Sequence, residues 1–205
     1  MRLTLVTNGE FGAEVGARLL ARFPGSEIVD ADTPTHLASW PALDALVVAA
    51  DRDNVGLCEL TERAAFAWRR PWFPVLLEQA QLRCGPVVVP GRTACHVCFR
   101  RRRRQHAQNP GVWRDLPAPA VAGDRVRGWA RHHVDIAAGL AVQAVTDAFD
   151  PEPRFPGAWV RIVGLADTTV NRSGVVAVDG CPRCRDAAAR AARPGQLVDA
   201  LRAAL

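Results

Sequence analysis

Four of the six cysteines in this chain fall in two C-x-x-C pairs, Cys95-His96-Val97-Cys98 and Cys181-Pro182-Arg183-Cys184. Two residues between thiolates let both sulfurs face one ion, and two such knuckles supply the four ligands of a tetrahedral zinc. Four thiolates leave no open coordination position, so the ion they suit is structural and not catalytic. Turn-forming residues adjoin both pairs: Gly91 precedes the first, Asp179-Gly180 precedes the second, and Pro182 lies inside it. The pairs are far apart in sequence. A metal shared by both would be closed by tertiary structure, stapling a fold instead of building a small finger. A redox pair or disulfides are the remaining readings of the same residues.

Other chemistry is thinner. His96 has four thiolates beside it and is expected to point outward. His132-His133 are adjacent on a helix, where neighbouring side chains diverge, so surface or cap roles fit them best. Cys58 and Cys84 fall on an expected helix and strand and read as buried free thiols. No His/Asp constellation accompanies a cysteine as nucleophilic catalysis requires. Trp68, Trp72, Trp129 and Trp159 read as core and subunit-interface area. Arg100 to Arg104 could grip an acidic peptide, a nucleic acid or an acidic protein face. At about 100° per residue, however, a helical run of this kind spreads around the whole circumference. The competing reading is a solvated basic helix with one or two local ion pairs. Only Phe99 adjoins the run, and nucleic-acid binding wants aromatics interleaved with the basic residues.

These residues need elements to place them. Leu3–Thr7 reads as a strand ending at the turn signal Asn8-Gly9, and Ala13–Phe23 as a helix closed by Pro24-Gly25. Glu27–Asp30 is a short second strand. Leu43–Ala50 is a continuous apolar run, as in a parallel strand buried on both faces. Asn54, with Asp53, can cap a helix from Val55 to about Arg69. Pro71–Glu78 and Leu82–Val89 read as a hairpin-like strand pair. The first knuckle runs into a helix carrying Arg100–Arg104. A Pro/Gly-rich loop covers Asn109–Gly123, and Gly128–Phe149 has clear helical periodicity. Trp159–Val163 and Thr168–Val178 are strands delivering the second knuckle, and an alanine- and arginine-rich helical end follows. Alternating strands and helices in the first half predict an α/β fold: a Rossmann-like, mainly parallel sheet with an antiparallel extension and a four-cysteine zinc site. The expected domain is single, 1–205, with a Rossmann-like half (1–89) and a zinc-stapled half (90–205).

Length, 49% hydrophobic content and near-zero mean hydropathy (−0.02) describe an ordinary globular chain. No apolar run approaches the roughly 20 residues of a membrane span, and the first residues are too short and too interrupted for a signal peptide. A cytoplasmic location is expected, where thiols stay reduced and C-x-x-C pairs favour metal. The net charge is +5, and all 26 residues counted as lysine or arginine are arginine. With no lysine present, none can hold a phosphate, form a Schiff base or act as a base.

One order of motifs is specific. Ala50-Asp51-Arg52-Asp53-Asn54 ends a strand; Pro71-Trp72-Phe73-Pro74-Val75, Gly85-Pro86-Val87-Val88 and Pro90-Gly91-Arg92-Thr93-Ala94-Cys95, with Cys98-Phe99, follow. Cys181-Pro182-Arg183-Cys184 comes near the end. This resembles the superfamily of ubiquitin-activating and ThiF/MoeB-type adenylating enzymes. More closely, it resembles the ThiF-like proteins that partner YcaO-type azoline-forming cyclodehydratases in ribosomal peptide natural-product biosynthesis. The resemblance spans nearly the whole chain. It implies zinc ligands at Cys95, Cys98, Cys181 and Cys184, a nucleotide-metal region at Asp51 and Asn54, and a homodimer. The cap reading of Asn54 stands beside the nucleotide one.

The departures bear on activity. The first turn is Gly9-Glu10-Phe11-Gly12-Ala13-Glu14-Val15-Gly16, not G-x-G-x-x-G, and Glu10 and Glu14 put negative charge where phosphates dock on a helix N-terminus. Asp30 or Asp32 lies where an acid meets a ribose. The lysine and the Asn-Arg-Gln segment that adenylating relatives place around the triphosphate are missing. Many relatives carry an N-terminal winged-helix peptide clamp; this sequence starts at strand one, so leader binding through that clamp is not expected. The expected function is a non-catalytic partner that engages a ribosomal precursor peptide and a YcaO-type or other tailoring enzyme, with ATP not expected as a cofactor. Two alternatives stand: an ATP-dependent enzyme adenylating a peptide carboxylate, with Asp51 as metal-nucleotide residue and an arginine replacing the lysine, and a zinc-containing nucleic-acid binder.

Overall fold

The structure, a computed structural model, describes residues 1–33, 36–78, 81–106, 128–151 and 158–184. Its elements in order are β1 (Leu3–Asn8), α1 (Gly9–Arg22), β2 (Glu27–Asp30), a short 3-10 turn (Leu37–Ser39), β3 (Ala45–Ala50), α2 (Val55–Trp68), β4 (Trp72–Glu78), β5 (Gln81–Cys84), α3 (His96–Gln105), α4 (Arg131–Phe149), β6 (Ala158–Gly164) and β7 (Val170–Val175). The strands form one seven-stranded sheet in the order β2-β1-β3-β4-β5-β6-β7. Pairings through β4 are parallel, and those from β4 to β7 are antiparallel. The mixed α/β class is as the sequence predicts, with the antiparallel part as extensive as the parallel one.

Alternation along the strands sorts side chains to two faces. From β3, Ala45, Val47 and Ala49 join the core under α1 and α4, while Leu46, Val48 and Ala50 join the core under α2. The α4 face is a stripe of small and medium residues at helical spacing: Val134, Ala137, Leu140, Ala141, Ala144, Val145 and Ala148. A third core lies around the cysteines, with Ala94, Phe99, Ala158, Val160 and Val175.

Several boundaries differ from the sequence reading. The helix expected from Ala13 begins at Gly9, directly after β1. Gly9 has φ +75°, and a Cβ there would land on the Asp51 carboxylate. Side chains at Gly12 and Gly16 would run into the Ala49 carbonyl and the Thr7 methyl. The glycine spacing therefore brings α1 down onto β1 and β3. The strand expected over Leu82–Val89 is only Gln81–Cys84; after Gly85 the chain returns to the sheet by a single bridge from Val88 to Trp72. The strand expected over Thr168–Val178 is shorter, Val170–Val175, and α4 starts at Arg131, not Gly128. The expected Asn109–Gly123 loop and the C-terminal helical end lie outside the described residues.

Candidate functional site

The fold brings the two C-x-x-C pairs together. Cys95 is the N-cap of α3 and Cys98 lies in its first turn, while Cys181 and Cys184 sit in turns after β7. All four side chains are buried. Sulfur separations are 3.7 Å for Cys95 to Cys98, 3.7 Å for Cys95 to Cys181 and 3.6 Å for Cys98 to Cys184. A tetrahedral zinc with Zn–S near 2.3 Å puts its sulfurs about 3.8 Å apart, so the donor set fits such an ion in type, number and spacing. The backbone supports the sulfurs too. The Cys95 N–H donates to Cys184 Sγ at 3.2 Å, and the Val178 N–H donates to Cys98 Sγ at 3.3 Å.

The thiols respond unequally to this environment. The hydrogen bond with Cys184, together with burial, lifts Cys95 far above an ordinary thiol. Burial pushes Cys98 up to about 11. At Cys181 burial opposes ionisation, yet the backbone N–H groups of Cys184 and Arg183 bring it down to about 7. Four thiolates in an apolar cluster need a compensating cation to coexist, because metal binding and thiol deprotonation are linked.

His96 does not point outward. It is fully buried, its ring 5.4 Å from Trp72 and 5.9 Å from Phe99. The outward expectation fails because the knuckle continues straight into α3, and the position after the N-cap faces α2 and β4. Burial, and then Arg83, Arg100 and Arg103, hold the imidazole neutral with a pKa near 3.

A second cluster lies at the C-terminal ends of β1 and β3. The strand order reverses there, which is where open α/β sheets bind ligands. Asp51 is buried with its carboxylate against Gly9, as the glycine contacts show. Asn54 caps α2: its Oδ1 accepts the Leu57 N–H at 3.1 Å, and its Nδ2 donates to Asn8 Oδ1 at 3.3 Å. Asp32, the residue two past β2, reaches across to this point. Its carboxylate accepts from the Gly9 N–H at 2.7 Å and from Asn8 Nδ2 at 2.8 Å. A helix N-terminal N–H is a phosphate-docking donor, and here this chain's own carboxylate takes it. Glu10 and Glu14 are exposed on the first turns of α1.

Beside these clusters runs an ion-pair network that the sequence reading missed. Fully buried Arg83 meets Glu78 Oε1 at 2.8 Å, Asp53 at 3.4 Å and the Gly85 carbonyl at 2.7 Å. Arg103 forks onto both Glu78 oxygens at 2.9 Å and reaches Asp53 at 3.7 Å. Arg100 pairs with Glu59 at 2.8 Å. The arginine run is thus a helix with two members anchored to the body, and Arg101 and Arg104 are exposed. Burial raises the Cys84 thiol to about 12 and lifts Cys58 well above the usual range, which leaves both poor nucleophiles. His133 is a cap residue, its Nδ1 accepting the Ala130 N–H at 3.3 Å. Trp72 is core, Trp129 packs edge-on against Phe11 at 5.6 Å, and Arg172 covers Trp159 at 3.7 Å. No helix among the described residues is long and apolar enough to cross a membrane.

No family model matches the sequence, and no curated protein matches it. Solved structures do share its fold. A heterocyclase in complex with substrate and cofactor superposes with a TM-score of 0.60 at 19% identity, covering 90% of this chain and 25% of that one. The heterocyclase TruD gives a TM-score of 0.59 at 19% identity, with 90% and 27% covered. The E. coli microcin synthetase McbBCD complex gives a TM-score of 0.63 at 11% identity, with 88% and 67% covered. The chain spans about a quarter of the heterocyclase chains it matches. At these identities the likeness is one of fold.

Proposed function

We propose that this chain is a ThiF-like partner protein in the maturation of ribosomally made peptides. It engages a precursor peptide and holds it for a YcaO-type cyclodehydratase or another tailoring enzyme, without itself activating a carboxylate. Zinc held by Cys95, Cys98, Cys181 and Cys184 is structural: with four sulfur ligands it offers no open position for substrate, and its chemistry is to cross-link. The observation that carries the non-catalytic reading is the Asp32 carboxylate on the Gly9 N–H at 2.7 Å. An anion tethered there competes with any phosphate, and the chain supplies no lysine to offset it. Asn54, the other residue of the nucleotide-metal region, spends its side chain on capping α2. The fold shared with heterocyclase and microcin synthetase structures supports the setting.

The physical contribution of such a partner is effective concentration: peptide and catalyst held together react as if one were present at high concentration. We place it in the cytoplasm as a homodimer, which light scattering on the purified protein tests. Arg100 and Arg103 already serve internal carboxylates, which leaves fewer arginines of that helix for a nucleic acid. The deciding experiment reconstitutes heterocyclisation with a candidate precursor peptide and a YcaO-type cyclodehydratase, and runs ATP–pyrophosphate exchange in parallel. Heterocycle formation that needs this chain, with no exchange from the chain alone, is expected. Substantial ATP-dependent exchange by the chain and peptide overturns the reading in favour of adenylation.

A further inference from the structure

Each C-x-x-C pair contributes one of its two spacer residues to the same buried carboxylate. Glu62 lies on α2 and is fully buried, its neighbours on that helix face being Cys58, Thr61 and Ala65. Its Oε1 accepts the His96 N–H at 2.6 Å. Its Oε2 lies 3.7 Å from Arg183 Nε. His96 is the first spacer of Cys95-His96-Val97-Cys98, and Arg183 is the second spacer of Cys181-Pro182-Arg183-Cys184. The Arg183 guanidinium also lies 5.5 Å from the Phe66 ring centroid, one helical turn along α2 from Glu62. Phe66 packs against both the α2 core and the cysteine core.

A carboxylate is an expensive group to bury, and it survives burial only when its partners are good. Next to four thiolates its charge has the wrong sign for the metal centre, and it raises the Cys95 thiol further. Burial pushes the Glu62 carboxyl up, and the His96 N–H and Arg183 act against that push. The two favourable partners are thus the elements that carry the sulfurs. The His96 N–H stands at the positive N-terminus of α3, and fixing it fixes Cys95 and Cys98 on either side. Arg183 fixes the loop between Cys181 and Cys184.

We propose that Glu62 is a positioning residue for the metal centre: from α2 it latches both knuckles, one through the His96 N–H and the other through Arg183, so that the four sulfurs are assembled before the metal arrives. The proposal rests on the zinc reading above. Groups that orient metal ligands typically change metal affinity 10- to 100-fold when removed.

The test is zinc release from the purified full chain to a competing chromophoric chelator. Glu62→Gln keeps an oxygen for the His96 N–H and loses the charge facing Arg183; Arg183→Met keeps an apolar stem over Phe66 and loses the guanidinium. Each is expected to release zinc about 10-fold faster than the wild type. The double variant should release it no faster than the faster single variant, because both substitutions break one latch. Val145→Ala, a truncation on α4 away from the cysteines, controls for general loss of stability and should leave release unchanged. Release at the wild-type rate in either folded variant, or fully multiplicative effects in the double variant, overturns the latch. If Glu62→Gln fails to fold, release from Arg183→Met decides the question. Fresh wild-type protein that carries no zinc overturns the zinc reading and the latch together, whereas a zinc-loaded wild type with unaltered variants overturns the latch alone.

Discussion

Removing a zinc held by the four cysteines should cost this protein a large share of its stability. Cys95 and Cys181 are 86 positions apart and their sulfurs lie 3.7 Å from each other. Any ion joining them therefore closes a long loop. Treated by the chain-entropy argument for cross-links, a loop of that length removes about 4.6 kcal/mol worth of freedom from the unfolded chain. Domains of this size have total stabilities of roughly 5–15 kcal/mol, so the metal-free chain should lose about a third or more of its stability. The perturbation is exhaustive chelation, with Cys181→Ser as a second route to the same state. The assay is urea unfolding followed by tryptophan fluorescence, paired with metal analysis. With a slope of about 2 kcal/mol per molar urea, the midpoint should fall by about 2 M in both cases, and zinc should be lost with it. An unchanged midpoint after complete metal removal would refute the cross-link reasoning. So would full zinc content in Cys181→Ser, since a site that keeps its ion without that ligand is not closed across both knuckles.

Other perturbations follow from the same geometry. Burial favours protonation of Glu78, but Arg83 and Arg103 outweigh it and hold the carboxyl at about 2, against 4.5 for a free one. Because the folded value is depressed, its contribution of about 3 kcal/mol is complete above the unfolded pKa and fades as pH falls from about 4.5 toward 2. The stability gap between wild type and Glu78→Gln should accordingly be constant from pH 5.5 to 7 and shrink to less than half near pH 3, by urea titration at each pH. A gap that grows on acidification contradicts the sign. Gly12→Ala places a methyl against the Ala49 carbonyl; overpacking of about 1–3 kcal/mol is expected in thermal melts, and a neutral result means α1 can lift from the sheet freely. Asp32→Ser vacates the Gly9 N–H, so added phosphate should raise the melting temperature of the variant more than that of the wild type. Equal responses would mean that Asp32 is not what keeps phosphate away.

Much of the fold was legible because its signals are local. The apolar run ending at Ala50 is a central strand by burial on both faces, and Asn54 announced the start of α2 by side-chain type alone. The cysteine cluster was legible because C-x-x-C spacing is itself a geometric statement. The errors share one cause, a tertiary neighbour outvoting a local pattern. Gly9 starts α1 early because α1 must sit tight on β3. Gly85 cuts the expected long strand short, its N–H held by the Pro74 carbonyl at 2.8 Å. His96 is inside because α2 and β4 close over it. The ion-pair network of Asp53, Glu78, Arg83 and Arg103 joins residues from four separate segments, which no spacing rule connects. Glu62 did leave a trace: a charged residue on a helix face otherwise made of Leu57, Cys58, Thr61 and Ala65. A carboxylate in that position requires a partner, even when the sequence cannot name it.

The two clusters are held by different forces, and this bears on how independently each can change while the fold stays intact. The switch-point residues are fixed by the close seating of α1 on the parallel strands and by the Asn54 cap, with Asp32 supplying its own anion to the Gly9 N–H. None of these contacts includes a cysteine or a residue of β6 or β7. The cysteine cluster instead joins the first turn of α3 to the turns after β7, on a core that includes Ala158, Val160 and Val175 from the antiparallel part of the sheet. Its links to the rest of the molecule run through α2, at Glu62 and Phe66, a turn or more beyond the capped end, and through β4, where His96 meets Trp72. A charge introduced at the phosphate position therefore alters what the parallel half can bind while leaving the cross-link untouched. Stripping the metal does the reverse, loosening the antiparallel half first. Hydrogen exchange on chelator-treated protein should show this order, with β6 and β7 exposed before β1 and β3. Uniform exchange across the sheet would mean that the halves unfold as one unit and that this separation of forces is wrong.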